Sequence, residues 1–292
     1  MEQFFDPSSV PRCNCTPKGC RLRIFLVATT ILLCSSQALA QPASSEPPSA
    51  AAKRSPGISE QDLRALLASD VPRQLKNPPA LGFSDDDLKF WAEKAKQAHR
   101  DAPVARGKAT ETYDVIVQIG HYPRTKGKTG GQGRYVNEQQ IAALVGVGLI
   151  QKLSGMKANK LPIKALLIGA DDYTRGLRSK IFLALHTDAA NNKCIVGPSV
   201  GYQKVGDAAG MHNIALALAI SLGIDGEKFM RDNYTADEAG YYAYSSFKTD
   251  NFKGLLEMSE LTCQDQEKRL LTSAATLAAN LATAIQLGLR QP

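Results

Sequence analysis

The sequence predicts an α/β fold: one domain with a mostly parallel central sheet flanked by helices, preceded by a short helical N-terminal region. Two observations carry this. Runs rich in β-branched residues alternate along the chain with stretches whose apolar residues recur at helical spacing, and no internal repeat breaks the pattern. The length of 292 residues, 43% hydrophobic and 22% charged, is enough to bury a core of useful size.

The first 40 residues stand apart from that fold. Lys18, Arg21 and Arg23 precede the apolar run IFLVATTILLCSS at residues 24–36, too short to span a bilayer comfortably. Ala38, Leu39 and Ala40 then give the small-x-small pattern of a signal-peptidase site. Residues 1–40 are therefore expected to be a secretory signal peptide. The mature protein is expected to be periplasmic or secreted, with no integral membrane segment. An uncleaved N-terminal anchor is the alternative. A lipoprotein is disfavoured by Leu33, just before Cys34, where a small residue is wanted.

Removing that segment changes two readings. Cys13, Cys15, Cys20 and Cys34 leave with it, so the CNCTPKGC cluster is discounted as a metal site. Cys194 and Cys263 remain, and an oxidising compartment permits either a disulfide or two buried thiols. Loss of four basic and two acidic residues lowers the net charge from +7 to +5. Such a modest excess suits an anionic partner, a cell wall or a membrane surface. Nucleic acid is a weaker partner, since the compartment is wrong and no basic-aromatic motif occurs.

Residues 41–57, QPASSEPPSAAAKRSPG, cannot bury enough apolar surface to order themselves and are expected to be a flexible linker. Residues 58–105 form the helical N-terminal region. Ser59 and Glu60 open one helical pattern that runs to Ala68; Ser84 caps another, with three acids in its first turn. Leu88, Trp91 and Ala95 share the apolar face of the second, and His99 near its end is expected to be a solvated charge.

The main domain is assigned to residues 106–292. Strands are expected at 113–119, 161–168, 181–185 and, briefly, 254–257; helices at 137–153, 211–222 and 265–287. In such a sheet the functional groups gather where strands end and loops begin. That rule singles out YDVIVQIGHYPRTKGKTGGQGRYVNE, residues 113–138. Its GKT resembles the tail of a P-loop, but the position five before Gly127 is Tyr122 rather than glycine, and more glycines follow where a helix should start. The dinucleotide fingerprint fails for want of a third glycine. A metal reading fares better. His121 ends one strand, Glu138 opens the next helix, and His186 ends the later apolar run IFLALH. Two neutral imidazoles and a carboxylate leave zinc a fourth, open position, the composition of a catalytic site.

The order GH, a glycine-rich loop, NE at a helix start, then LALHTDA, resembles the zinc-dependent N-acetylmuramoyl-L-alanine amidases over residues 113–287. The resemblance implies Zn2+ held by His121, Glu138 and His186, with Glu257 in GLLEMSEL as the catalytic glutamate at a strand end. It implies a structural role for Glu267 near the start of the last helix. Thr174, Arg175, Leu177 and Arg178 resemble, in shortened form, the arginine-bearing stretch before the second metal histidine. Two departures stand out. Tyr122 and Pro123 replace glycine after GH, and Ser259-Glu260 replaces a Gly-Phe pair, placing a second acid near the site. Glu257 closes the apolar run at 255–256, so strand alternation turns it inward and leaves Glu260 exposed.

The implied activity is hydrolysis of the amide between N-acetylmuramic acid and L-alanine in peptidoglycan, with peptidoglycan as the partner and a protein activator as a further one. Two other classes stand beside it. One is an amidase-like regulator that binds zinc and cell wall with little or no turnover. The other is a zinc amidohydrolase for a small acyl-amino acid, which the export signal argues against. His212 in MHNIALALAISL is expected to be a packed or helix-surface imidazole. The tyrosine-rich run NYTADEAGYYAYSSF, residues 233–247, is expected to line a sugar-peptide groove or to pack. In some relatives of that family an inserted helix here blocks the zinc, a role Asp237 or Glu238 would take.

Overall fold

The computed structural model describes residues 74–76, 82–191, 194–225 and 228–290. The expected signal peptide, the linker and the helical pattern at 59–68 lie outside them. Helix α1, Asp85–Arg100, begins as its sequence requires. Ser84 Oγ accepts the Asp87 N–H at 3.2 Å, while the Asp87 carboxylate accepts the Ser84 N–H at 2.9 Å. Its buried face is Leu88, Ala92 and Ala95, with Trp91 packed half-buried against the same core. His99 is not the solvated charge expected of it. Its Nε2 lies 3.4 Å from Gln139 Oε1 and its ring meets Tyr122 edge-on at 5.0 Å, because α1 is laid against the main domain.

The remaining elements are β1 (Thr112–Ile119), α2 (Glu138–Ser154), β2 (Lys157–Ala158), β3 (Leu161–Pro162), β4 (Ala165–Ile168), β5 (Leu177–Asp188), β6 (Ser199–Gly201), α3 (Ala208–Leu222), α4 (Ala236–Ala239), β7 (Phe247–Glu260) and α5 (Gln264–Gly288). Five strands form one sheet in the order β4-β1-β5-β7-β6. The first four run parallel, and β6 lies antiparallel on the β7 edge. This is the mostly parallel α/β sheet the alternating pattern predicted. Central strands show why their sequences are continuously apolar. Along β5, Ile181, Leu183 and Leu185 join the helical core of α1, α2, α3 and α5, while Phe182 and Ala184 face the other way.

That second face is covered by the tyrosine-rich run: Tyr241, Ala243, Tyr244 and Phe247 pack on it, with Phe182 stacked on Phe247 at 4.3 Å. Packing is therefore the main role of this segment, and only Tyr242 in it is largely exposed among its tyrosines.

Two strand expectations need correction. The apolar stretch 161–168 is not one strand: β3 turns back on β2 through Asn159 and Lys160, both at positive φ (48° and 70°), and only β4 joins the sheet. A two-residue hairpin of that geometry was hidden by the continuity of apolar residues beyond it. Conversely the expected strand at 254–257 extends to Phe247–Glu260, because its polar beginning pairs with the start of β5 across an irregularity between Ser179 and Ile181.

Cys194 and Cys263 form a disulfide that ties the loop after β5 to the residue before α5. The bond closes a span of 69 residues, so replacing both cysteines by serine is expected to cost about 2–4 kcal/mol through the freed unfolded chain. A lower urea midpoint would show it; an unchanged midpoint would mean that the bond contributes nothing to stability.

Candidate metal centre

The centre assembles where the parallel strands end. The Gly120 N–H continues the ladder past β1 by donating to Leu185 O at 2.9 Å, and His121 then leaves the strand at φ 59°. Gly120 is there for space. A Cβ on it would lie 2.6 Å from Cε1 of His186, so only glycine lets the two imidazoles sit side by side, 4.9 Å between centroids. The Tyr122–Pro123 peptide that follows is cis. Despite this departure the loop brings His121 to its place, because His121 Nδ1 donates to Lys128 O at 2.8 Å. Gln139 Nε2 also gathers Arg124 O and Thr129 O, at 2.9 and 3.0 Å.

Asn137 fixes the third member. Its Oδ1 accepts the Gln140 N–H and its own N–H donates to Gln140 Oε1, both at 2.9 Å, so α2 starts at Glu138. The Glu138 side chain is buried. Oε2 accepts the Gly131 N–H at 2.8 Å, and Oε1 accepts the Thr187 N–H at 3.1 Å. Oε1 also lies 3.3 Å from His121 Nε2 and 3.0 Å from His186 Nδ1. On its far side His186 Nε2 is 3.0 Å from the Tyr241 hydroxyl.

Whether these residues suit a divalent ion can be tested on their geometry. The three ligand atoms lie within 4.8 Å of one another, the one such cluster among the described residues. Tetrahedral zinc with bonds of about 2.0–2.1 Å spaces its ligand atoms about 3.3 Å apart, close to the separations of 3.0 and 3.3 Å from Glu138 Oε1. Lys128 O can only accept, so the neutral His121 ring carries its proton on Nδ1 and turns a lone pair on Nε2 toward Glu138. Acceptors facing one another at that range need a proton or a metal cation between them, and the donor set fits zinc. Without a metal, protonated rings take its place: burial alone would raise the Glu138 carboxyl, but the hydrogen bonds and charges of protonated His121 and His186 outweigh it and hold it well below the usual range. Burial works against a charged His121, yet Glu138 more than compensates and raises that ring.

An open cleft of about 380 Å³ includes the cluster in its lining, together with Lys128, Thr129, Asp188 and Glu257. Glu257 stands in register with His186 on the adjacent parallel strand and so shares its face of the sheet. Its Oε2 is buried without a partner among the described residues. Burial, then the charges of Asp188, Glu138 and Glu238, push its carboxyl well above the ordinary value. Asp188, which sequence reasoning did not single out, is a second cleft acid, pushed up to about 6 by burial and then by the Glu138 and Glu260 charges. Its signal was the spacing of two from His186, which keeps a strand residue on the same face.

Glu260 is not exposed, contrary to the alternation argument. It is fully buried, its Oε1 accepting the Cys194 N–H and the Thr262 hydroxyl, both at 2.8 Å, and its Oε2 the Val196 N–H at 3.0 Å. The disulfide loop folds over this end of β7, and Glu260 anchors it. Glu267 is likewise buried on backbone donors: Oε1 takes Tyr135 and Val136 N–H at 2.7 and 3.1 Å, and Oε2 takes Arg134 N–H at 2.9 Å.

Other singled-out residues lie elsewhere. Arg175 and Arg178 are exposed at the start of β5, the end away from the cleft. His212 does have an acid nearby, Asp232, whose Oδ2 is 2.6 Å from its Nε2 and also accepts the Tyr202 hydroxyl at 2.7 Å; its distance along the chain concealed it. Glu238 is spent on Ser199 Oγ at 3.0 Å and Tyr234 N–H at 2.9 Å, and Asp237 is exposed. Neither lines the cleft, so α4 is no plug over the centre.

The fold thus sets a His-Glu-His cluster that could hold a metal ion beside a buried carboxyl, in an α/β domain. No protein-family model matches the chain, and no curated protein matches it. Among solved structures it is similar to N-acetylmuramoyl-L-alanine amidases. The amidase from Clostridium difficile 630 is 15% identical over 60% of this chain and 95% of that one, with a TM-score of 0.44. An amidase of Nostoc punctiforme is 14% identical over 63% and 100%, also at 0.44. The catalytic domain of an amidase from Bacillus (Paenibacillus) polymyxa var. colistinus is 18% identical over 60% and 96%, again at 0.44.

Proposed function

We propose that the chain is a zinc-dependent N-acetylmuramoyl-L-alanine amidase that hydrolyses the amide between N-acetylmuramic acid and L-alanine in peptidoglycan. The observation that supports it is the convergence of His121, Glu138 and His186 on one cleft with Glu257 in register beside them. The order of the sequence motifs points the same way. On this reading residues 1–40 direct export, 41–57 tether the protein, and 106–292 are the catalytic domain with 58–105 attached.

His121, Glu138 and His186 would hold the ion. When bound, zinc supplies polarisation of the scissile carbonyl and a lowered pKa for water. Glu138 is no candidate for the proton acceptor, since both its oxygens are occupied by N–H donors and imidazoles. Glu257 has an unpartnered oxygen and is the base. It takes one proton from the attacking water as the water oxygen bonds to the lactyl carbonyl carbon. The bond from that carbon to the alanine nitrogen then breaks as Glu257 returns the proton to the departing amine.

The test uses the full chain and purified peptidoglycan sacculi. Released stem peptides with a free N-terminal L-alanine, lost on chelation and restored by zinc, are the expected result. No release with zinc supplied would overturn the activity. Zinc bound at full occupancy without cleavage of any wall fragment would instead install the regulator reading.

A further inference from the structure

Gln118 is fully buried near the end of β1, in an otherwise apolar run that offers its amide nothing. Its Nε2 donates to Gly169 O at 3.3 Å and Ala170 O at 3.1 Å, just beyond β4. Backbone carbonyls only accept, so the amide must give them its NH2 and point Oε1 the other way. Oε1 meets the Tyr241 hydroxyl at 2.7 Å. An amide oxygen cannot donate, so the phenol proton lies on that bond. The phenol oxygen is left with lone pairs, and His186 Nε2 is 3.0 Å away. That contact is a hydrogen bond only if Nε2 carries the ring proton. The lone pair of the neutral ring then sits on Nδ1, the atom 3.0 Å from Glu138 Oε1.

We propose that Tyr241, braced by Gln118, is a positioning residue that fixes His186 as its Nε2–H tautomer and aims Nδ1 into the cleft, so that a buried chain from β4 through β1 sets the affinity of the site for a divalent cation. The affinity part rests on the metal reading above. From the core outward each link passes on one proton arrangement, while the Glu138 carboxylate, 3.0 Å from Nδ1, competes for the ring proton until a cation lies between them; two backbone carbonyls in the core, rather than solvent, oppose that pull. Tyr241 has no freedom to swing away: its ring packs against His186 at 5.3 Å and Tyr244 at 5.5 Å. The two histidines are thus set by different devices. His121 answers to the carbonyl of Lys128 in the glycine-rich loop, and His186 to a side-chain relay beneath the sheet's end.

The test reads the tautomer directly by long-range proton–nitrogen correlation on the metal-free full chain at mildly alkaline pH, and zinc affinity by competition with a chelator. The wild type is expected to show His186 protonated on Nε2. Tyr241→Phe is expected to lose that single tautomer and bind zinc about 10–100-fold more weakly. Tyr244→Phe, whose hydroxyl donates instead to Gly201 O at 2.8 Å, should change neither. If Tyr241→Phe does not fold, Gln118→Leu decides: its freed phenol proton should turn to Nε2 and move the ring proton to Nδ1. A wild type protonated on Nδ1 overturns the proposal, as does a folded Tyr241→Phe with unchanged tautomer and affinity. A wild type that binds no zinc but shows the Nε2–H form would sink the metal reading and leave the relay standing.

Discussion

Glu257→Gln is expected to leave the zinc content of the protein unchanged and to lower hydrolysis of muramoyl-L-alanine amides by about 10²–10⁴-fold. The substitution preserves shape, so it isolates the proton acceptor. None of the proposed zinc ligands is touched, because Glu257 stands on β7 while His121, Glu138 and His186 come from the loop after β1, from α2 and from β5. The fold loses no hydrogen bond to the buried Oε2, which has no partner among the described residues. A neutral amide also relieves the repulsion from Asp188, Glu138 and Glu238 that raises this carboxyl in the metal-free protein. Stability should therefore hold or rise while turnover collapses. Glu260→Gln makes the contrasting control. It weakens a carboxylate that anchors Cys194, Val196 and Thr262, so it should lower the unfolding midpoint and spare turnover per folded molecule. Turnover of Glu257→Gln within threefold of wild type would remove Glu257 from the mechanism and leave Asp188 as the remaining carboxyl in the cleft.

The parts of this site that could be read from the sequence are those that end or begin an element. His121 and His186 close apolar runs and Glu138 opens a helix behind an Asn cap, so periodicity alone locates all three at one end of a parallel sheet. Their convergence was a further step, carried by the motif order. The supporting residues left weaker traces. Gln118 was visible as a polar residue inside YDVIVQI, but its partners are 51, 52 and 123 positions away, and nothing local names them. Tyr241 lay in a run whose four tyrosines look alike; only the fold shows that one reaches His186, another a loop carbonyl at Ala170 and a third Gly201. The burial of Glu260 could not be read from strand alternation, since that rule assumes an open face and a disulfide loop closes this one.

Glu267→Ala should destabilise the protein by about 3–5 kcal/mol and should weaken the proposed zinc binding although Glu267 lies outside the cleft. The first effect follows from the arithmetic of donors. Three consecutive N–H groups, of Arg134, Tyr135 and Val136, end on one buried carboxylate. Each would lose its acceptor at a cost of about 1–3 kcal/mol, reduced where water enters the vacated space. The position of Glu267 in the first turn of α5 adds a favourable interaction with the helix dipole that alanine forfeits. The second effect follows from the chain path. The segment pinned by Glu267 leads directly into Asn137 and Glu138, and its earlier part supplies the Gly131 N–H that holds Glu138 Oε2. A loosened segment lets the Glu138 carboxylate wander. The same contact can be attacked from the other side with Gly133→Ala, since a Cβ there would come within 2.3 Å of Glu267 Oε1. Both variants should show a lowered urea midpoint and, under conditions where they remain folded, reduced zinc affinity with the disulfide intact. A Glu267→Ala protein that unfolds at the wild-type midpoint would mean that the loop is held by its glycines and cap alone.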